Sequence, residues 1–256
     1  MEISSVLYPD GFSYSLSLLY TTSTSVQRCK ANMTLKKTIE LFYDVLSPYS
    51  WIGFEVLLRC RAVWNINVDL QPVLLAGIMK ESENTPPGMN PRKGAYLFKD
   101  VKRIFEFHNL GHIKFPEDPA YVLMVKGSIP TMRLLTAAKI SHANKLEDLS
   151  REFWNRIYRT GEDHVSHESL VEVCVKCGLS VADSEQLVEE SKTTTIKEKL
   201  KETTQRVLDY GAFGSPTFLV ENKNGKKEMF FGSDRFHLIA HCIGAPWPLN
   251  NPNSKL

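Results

Sequence analysis

Cysteine is scarce in this chain: five residues (Cys29, Cys60, Cys174, Cys177 and Cys242) in 256. The number is odd and the spacing wide, which excludes a disulfide framework and points to a reducing compartment. Long apolar runs are missing too, and nothing reaches the roughly 20 residues a membrane-spanning helix needs. Neither sign of charge prevails. With 31 basic against 29 acidic residues and no block of like charge, the sequence argues against a nucleic-acid arm or a polybasic membrane patch. Internal repeats and low-complexity tracts are also absent. What remains is ordinary globular material, 43% hydrophobic, enough to build the core of one large or two modest domains.

The two ends read differently from the middle. Residues 1–36 are rich in Ser and Thr, carry Glu2 and Asp10, and hold only the broken apolar patch "SYSLSLLY", without the basic start of a secretory signal. Arg28 and Lys30 leave a mitochondrial presequence as an alternative, and Met33 opens "MTLKK" just before the first strand, where a second start would fall. This extension is excluded from the fold. Residues 248–256 form a polar, Pro-broken tail ending in Ser254, Lys255 and Leu256, the tripeptide address read by the peroxisomal import receptor. That receptor is an expected partner, and the peroxisome the expected location, with the mitochondrion second.

Between the ends, "TIELFYDV" has the β-branched and aromatic enrichment of a strand. "PYSWIGFEVLLRCRAVW" follows at helical spacing, and "INVDLQPVLL" reads as a second strand. The Pro- and Gly-rich stretch 76–94 reads as a loop and boundary. From Tyr96 to Tyr210 the periodic segments are helical, among them "IPTMRLLTAAKI", "KLEDLSREFWNRIYRTG" and "IKEKLKETTQRVLDYG". Then "PTFLV", a turn containing Asn-Gly, "KEMFF" and the helix "SDRFHLIAHCIG" close the chain. Neither β fragment can bury both faces alone, so the two ends must share one sheet. The expected fold is α/β: a thioredoxin-like sheet (βαβ plus ββα, residues 37–82 and 205–247) interrupted by an inserted all-helical domain, residues 83–204.

In such open sheets a ligand binds where a strand feeds a helix, here the stretch "YDVLSPYSW". Ser47 sits at the N-cap, Pro48 at the first helical position, and Tyr49 and Ser50 complete the turn. Read blandly, Ser-Pro is a cap. In its context the turn has the spacing of a redox C-x-x-C with serine in place of sulfur. Serine forms no disulfide, so Ser47 would act by donating a hydrogen bond to a thiolate brought by another molecule, at a helix end that favours negative charge. A second motif, "YGAFGSPTFLV", places Pro216 at the start of a strand, which is tolerated there without further meaning. Its functional reading is a cis Ser215-Pro216 bond presenting the Ser215 backbone to a peptide thiol as an added strand. In "FGSDR", Ser233 is expected to cap the last helix with Asp234 in its first turn, where a carboxylate and an ammonium group could be received.

Other groupings carry less. "CVKC", Cys174 to Cys177, is a true C-x-x-C, but both cysteines fall in an expected helix, away from a helix N-terminus where a thiolate is stabilised. His164 and His167 just upstream have zinc-like spacing, yet a continuous helix would hold the imidazoles and thiols apart, so no metal site is expected. Trp154, Ile157 and Tyr158 read as helix-packing core.

The three motifs, together with "WNINVDLQPVLLAGIMKESENTPPG", "PRKGAYLF" and "KGSIPTMRLLTA", resemble the kappa class of glutathione transferases, relatives of the DsbA-like disulfide oxidases, over residues 37–247. The resemblance implies a homodimeric enzyme that activates glutathione as thiolate for attack on small electrophiles or peroxides. Glutathione is then a co-substrate, and no tightly bound cofactor is implied. It places the thiol-activating serine at Ser47, with Pro48 and Tyr49 lining the cysteinyl end. Asn84 would contact glutathione by its side chain, Ser215 by its backbone, Ser233 and Asp234 at the γ-glutamyl end, and Lys93 at the glycyl carboxylate. Ser215 departs from the family pattern, where an apolar residue is expected; a backbone contact tolerates that exchange. Glutathione-dependent isomerisation and a non-catalytic glutathione-binding or chaperone-like role are the alternatives.

Overall fold

The computed structural model describes residues 36–247. Met33 and nearly all of the 1–36 extension, and the 248–256 tail with Ser254, Lys255 and Leu256, lie outside the described residues.

Strand β1 (Thr38–Tyr43) is buried along all but its first residue, the mark of a central strand. Helix α1 (Pro48–Val63) returns the chain to β2 (Asn67–Pro72), which runs parallel to β1 with Leu41 opposite Leu70. The other half of the sheet comes from the far end of the chain. Strand β3 (Thr217–Glu221) is antiparallel to β1 with Leu41 opposite Phe218, and β4 (Lys227–Phe231) is antiparallel to β3. The order is β2-β1-β3-β4, so the two ends of the chain share one sheet as the burial argument requires. In the β3–β4 turn, Asn222 Oδ1 accepts from the N–H groups of Asn224 and Lys226, and Gly225 takes φ +76°.

The intervening segment is helical: α2 (Leu75–Glu81), α3 (Pro91–Phe107), α4 (Pro119–Tyr121) running into a π turn (Val122–Lys126), and α5 (Ile129–Ser141). It continues through α6 (Leu146–Asn155), extended by a second π turn (Arg156–Thr160), then α7 (His167–Lys176), α8 (Val181–Ser191) and α9 (Thr194–Asp209). Helix α10 (Phe236–Ile243) closes the described chain.

The stretch 76–94, expected as loop, contains most of α2 and the first turn of α3. Pro91 does not break this segment; it occupies the first helical position, and Asn90 Oδ1 accepts from the N–H groups of Arg92 and Lys93.

The two faces of β1 meet different partners. Ile39, Leu41 and Tyr43 join a large core with α1, α10 and the inserted helices, whereas Phe42 packs with Val73, Ile78, Val207 and Leu219 beneath α2 and α9. Helix α9 thus enters the large core through Ile196 and Leu200 and ends on the second face of the sheet through Val207. An aromatic joint fastens α1 to the insert. Trp51 and Trp154 stack at 6.2 Å, Phe105 meets Trp51 edge-on at 5.0 Å, and Tyr43 lies 5.4 Å from Trp154. Trp154, Ile157 and Tyr158 are all buried, as core residues should be.

The sheet carries one buried charge, Glu40, bonded to Arg206 Nη1 at 2.6 Å and to Lys227 Nζ. Burial opposes its ionisation, but Lys227 and Arg206 together hold the carboxyl below its usual value. A depressed folded value means stability that is complete above the ordinary glutamate range and lost as pH falls through the folded value. Replacing Glu40 with Gln is expected to lower the unfolding free energy at neutral pH by about 1–3 kcal/mol. In denaturant titrations the deficit should shrink in acid; an equal deficit at every pH would contradict the ion-pair account.

Candidate active site

Everything at the site is arranged around the first turn of α1. Ser47 is its N-cap, with extended backbone (φ −94°, ψ 111°), and Pro48 follows at the first helical position with φ fixed by its ring. The Ser47 hydroxyl accepts from the Ser50 N–H at 3.0 Å, and the Ser47 N–H donates back to the Asp44 carbonyl at 3.0 Å. No acidic residue occupies the helix's first turn, so its own side chains leave the positive end of the helix dipole uncompensated.

The second wall comes from the loop before β3. The register that sets Phe42 opposite Thr217 carries both β1 and β3 to the same edge of the sheet, and the chain enters β3 through a cis Ser215-Pro216 bond. Here the Ser47 hydroxyl donates to the Ser215 carbonyl at 3.1 Å, and the Ser50 hydroxyl donates to Ser215 Oγ at 3.2 Å. The Ser215 N–H has no acceptor among the described residues. Helix and loop approach this closely because Gly53 has no side chain: a Cβ there would lie 3.1 Å from Phe218 Cζ and 3.2 Å from Pro216 Cγ.

The remaining predicted residues ring this centre. Asn84 donates through Nδ2 to the Phe213 carbonyl at 2.7 Å, which sets it against the same loop. Phe213 in turn meets Phe231 at 4.4 Å, at the end of β4, from which the chain runs directly to Ser233 and Asp234. Tyr49 lines a groove of about 380 Å³ with Pro87, Arg92, Lys93, Tyr96 and Leu97. Its phenol donates to Asp100 Oδ2 at 2.8 Å; burial, Asp100 and the field of Asp234 all raise it, so it stays neutral. A larger depression of about 620 Å³, lined by Arg61, Asn65 and Glu147 among others, lies at the opposite end of α1 and contains none of the predicted residues. The smaller groove is the one bordered by the predicted residues Tyr49 and Lys93.

One expectation needs correcting. Ser233 does not cap the last helix, and Asp234 is not in its first turn. Helix α10 starts at Phe236 with Arg235 at the cap position and no side-chain cap bond. The reason is local: Gly232 at φ +95° turns the chain sharply, and a Cβ there would stand 2.8 Å from Asp234 Oδ1, so the "GSD" segment forms its own turn before the helix begins. Ser233 is buried, whereas Asp234 is exposed and pairs with Arg235.

The C-x-x-C cysteines are free thiols remote in character from the Ser47 turn. Cys174 is buried in α7 and Cys177 is that helix's C-cap, not a residue inside it as expected. Burial pushes their thiols up to about 12 and about 11, the opposite of what a redox pair needs. His164 and His167 turn to different partners, the Gly127 carbonyl and the Glu185 carboxylate.

Sequence reading missed three contributors. Asp44, Ser128 and Asp100 each bond a residue of the turn or its support. Of these only Asp44 had a visible signal, an acid directly after a buried strand.

Residues 38–244 match the family model for a DsbA-like thioredoxin domain. Among solved structures, 2-hydroxychromene-2-carboxylate isomerase superposes with a TM-score of 0.65 at 18% identity, covering 81% of this chain and 94% of that one, a likeness of fold. Human glutathione S-transferase kappa 1 is 46% identical over 213 residues, 83% of this chain and 93% of that protein. The Caenorhabditis elegans glutathione S-transferase kappa 1 is 34% identical over 214 residues, 82% of this chain and 92% of that protein. A DsbA-like domain carrying serine at the turn, and identity of this extent along nearly the whole described chain, place it in the kappa class of glutathione transferases.

Proposed function

We propose that this kappa-class glutathione transferase binds glutathione across the Ser47 turn and the Ser215 backbone, and presents its sulfur as thiolate to small electrophiles, peroxides included. The observation that carries the reading is the Ser47 hydroxyl, 3.1 Å from the Ser215 carbonyl at a helix N-terminus. That hydroxyl has one proton, and in the free protein it is committed to Ser215. A cysteinyl residue laid against Ser215 as an added strand would offer its own N–H to the Ser215 carbonyl and its carbonyl to the unpartnered Ser215 N–H. The Ser47 proton is then released to turn toward the sulfur, and the Ser215 carbonyl loses nothing in the exchange.

Ser47 acts as a hydrogen-bond donor, not as a nucleophile. Each pKa unit by which it and the helix end favour thiolate corresponds to about 1.4 kcal/mol. The sulfur lone pair forms the new bond to the electrophilic carbon, and the leaving group departs with its electron pair. Pro48 and Tyr49 border the cysteinyl end. Asn84 holds the peptide from the side, Lys93 meets the glycyl carboxylate, and Ser233 receives the γ-glutamyl carboxylate. Asp234 exchanges Arg235 for the γ-glutamyl ammonium. Assembly as a homodimer and a role in detoxification belong to the same proposal, as does the division into a thioredoxin-like part (37–82 and 205–247) and a helical insert (83–204). Peroxisomal import through Ser254, Lys255 and Leu256 is proposed as the principal route, with mitochondria second.

Ser47→Ala is expected to keep glutathione binding while conjugation of a chloronitrobenzene falls by at least about 100-fold, the scale of losing a well-placed donor; unchanged turnover would exclude the role. Asn84→Ala removes one hydrogen bond and should weaken glutathione binding roughly fivefold by calorimetry. A fluorescent fusion bearing residues 248–256 at its C-terminus should enter peroxisomes and lose that address when Leu256 is deleted; identical distributions would refute the import assignment.

A further inference from the structure

Asp44 is fully enclosed at the end of β1 and takes no part in the chemistry described so far. Its carboxylate is nevertheless fully engaged. Oδ1 accepts from the Leu46 N–H at 3.0 Å, while Oδ2 accepts from the Leu75 N–H at 2.9 Å and from the Ser128 hydroxyl at 2.9 Å. These donors belong to three separate segments. Leu46 directly precedes Ser47, and its carbonyl is held from the other side by the Tyr158 hydroxyl. Leu75 is the first residue of α2, whose last turn accepts the Asn84 N–H at the Met79 carbonyl at 2.9 Å. Ser128 stands at the start of α5, the helix that also reaches β2 through Lys139 and Asp69. The Ser47 turn and the α2–Asn84 arm are therefore both referred to one buried group. The Asp44 main chain adds a further tie, accepting the Ser47 N–H at 3.0 Å.

We infer that Asp44 is a positioning residue for glutathione: its carboxylate sets the distance between the Ser47 turn and the α2–Asn84 arm, and through Ser128 it ties α5 to both. This rests on the reading that glutathione occupies the Ser47–Ser215 site. A carboxylate suits the position because it accepts at both oxygens and donates at neither. An asparagine would keep one acceptor and turn an NH₂ group toward a backbone N–H, leaving that buried donor without a partner. The Ser47 turn or the α2–Asn84 arm can then shift, and the tripeptide no longer meets both at once. A small misplacement of this kind is felt strongly in a site that depends on orientation.

The test uses the full chain and two variants, Asp44→Asn and Ser128→Ala, with reduced glutathione titrated by calorimetry and conjugation measured at saturating glutathione. Asp44→Asn is expected to raise the glutathione Kd about tenfold or more, a change of about 1.4 kcal/mol. Turnover at saturation per folded molecule should fall by much less than Kd rises. Ser128→Ala, which leaves both backbone bonds in place, should raise Kd about threefold, well under the 1.4 kcal/mol of a tenfold change. A purely structural role predicts something different: a lower melting temperature and fewer competent sites, with Kd unchanged in those that fold. An unchanged Kd in folded Asp44→Asn overturns the proposal. Should that variant not fold, Ser128→Ala decides in the same way, a raised Kd supporting the proposal and an unchanged one refuting it. A wild-type chain that fails to bind glutathione would bring down the functional reading itself, and is recognised because no variant is then needed to abolish binding.

Discussion

A single hydrogen bond joins the two walls of the site, from the Ser47 hydroxyl to the Ser215 carbonyl, between residues 168 positions apart in sequence. It forms where β1 and β3 pair, where the chain enters β3 through the cis Ser215-Pro216 bond, and where α1 packs closely on Pro216 at Gly53. The sheet is in this sense the frame that holds a hydroxyl against a carbonyl. The helical insert braces that frame. Trp154 fills the space against Trp51, Phe54 and Tyr43, and Tyr158 bonds the Leu46 carbonyl one residue before the Ser47 turn. Core packing and site geometry are thus one set of contacts.

In the proposed function the same bond lets a DsbA-like fold serve a reaction other than disulfide exchange. A cysteine at a helix N-terminus carries its own thiolate. A serine there forms no disulfide, but in the proposed function it is a compact donor whose single proton, held at rest by the Ser215 carbonyl, is redirected when a peptide lies along the Ser215 backbone. Among the described residues, burial pushes the Cys60 and Cys174 thiols up to about 12.

Much of this was legible in the sequence. The strands at the two ends announced themselves by β-branched and aromatic runs too short to bury two faces alone, and the "LSPYSW" turn and "GSPTF" loop are local signals whose geometry follows from Pro and Ser. Where the reading failed, the deciding contact was not local. Nothing in the apolar spacing of "FHLIAHCI" fixes where α10 begins; the turn at Gly232 and the folding back of Asp234 settle it, and Ser233 loses its capping role. The Pro and Gly residues of 76–94 read as breakers, yet Pro91 begins a helix. Asp44 gave only a faint sign, since its partners Leu75 and Ser128 lie 31 and 84 positions away and a single acid has no period.

If the protein makes a bound tripeptide's thiol more acidic, titrating the ultraviolet absorption of thiolate in the wild-type glutathione complex will show it. The expected result is a thiol already ionised at neutral pH, titrating well below free glutathione in the same buffer. A bound thiol that titrates together with the free tripeptide would contradict it, and would leave a glutathione-binding protein whose helix end does no chemical activation.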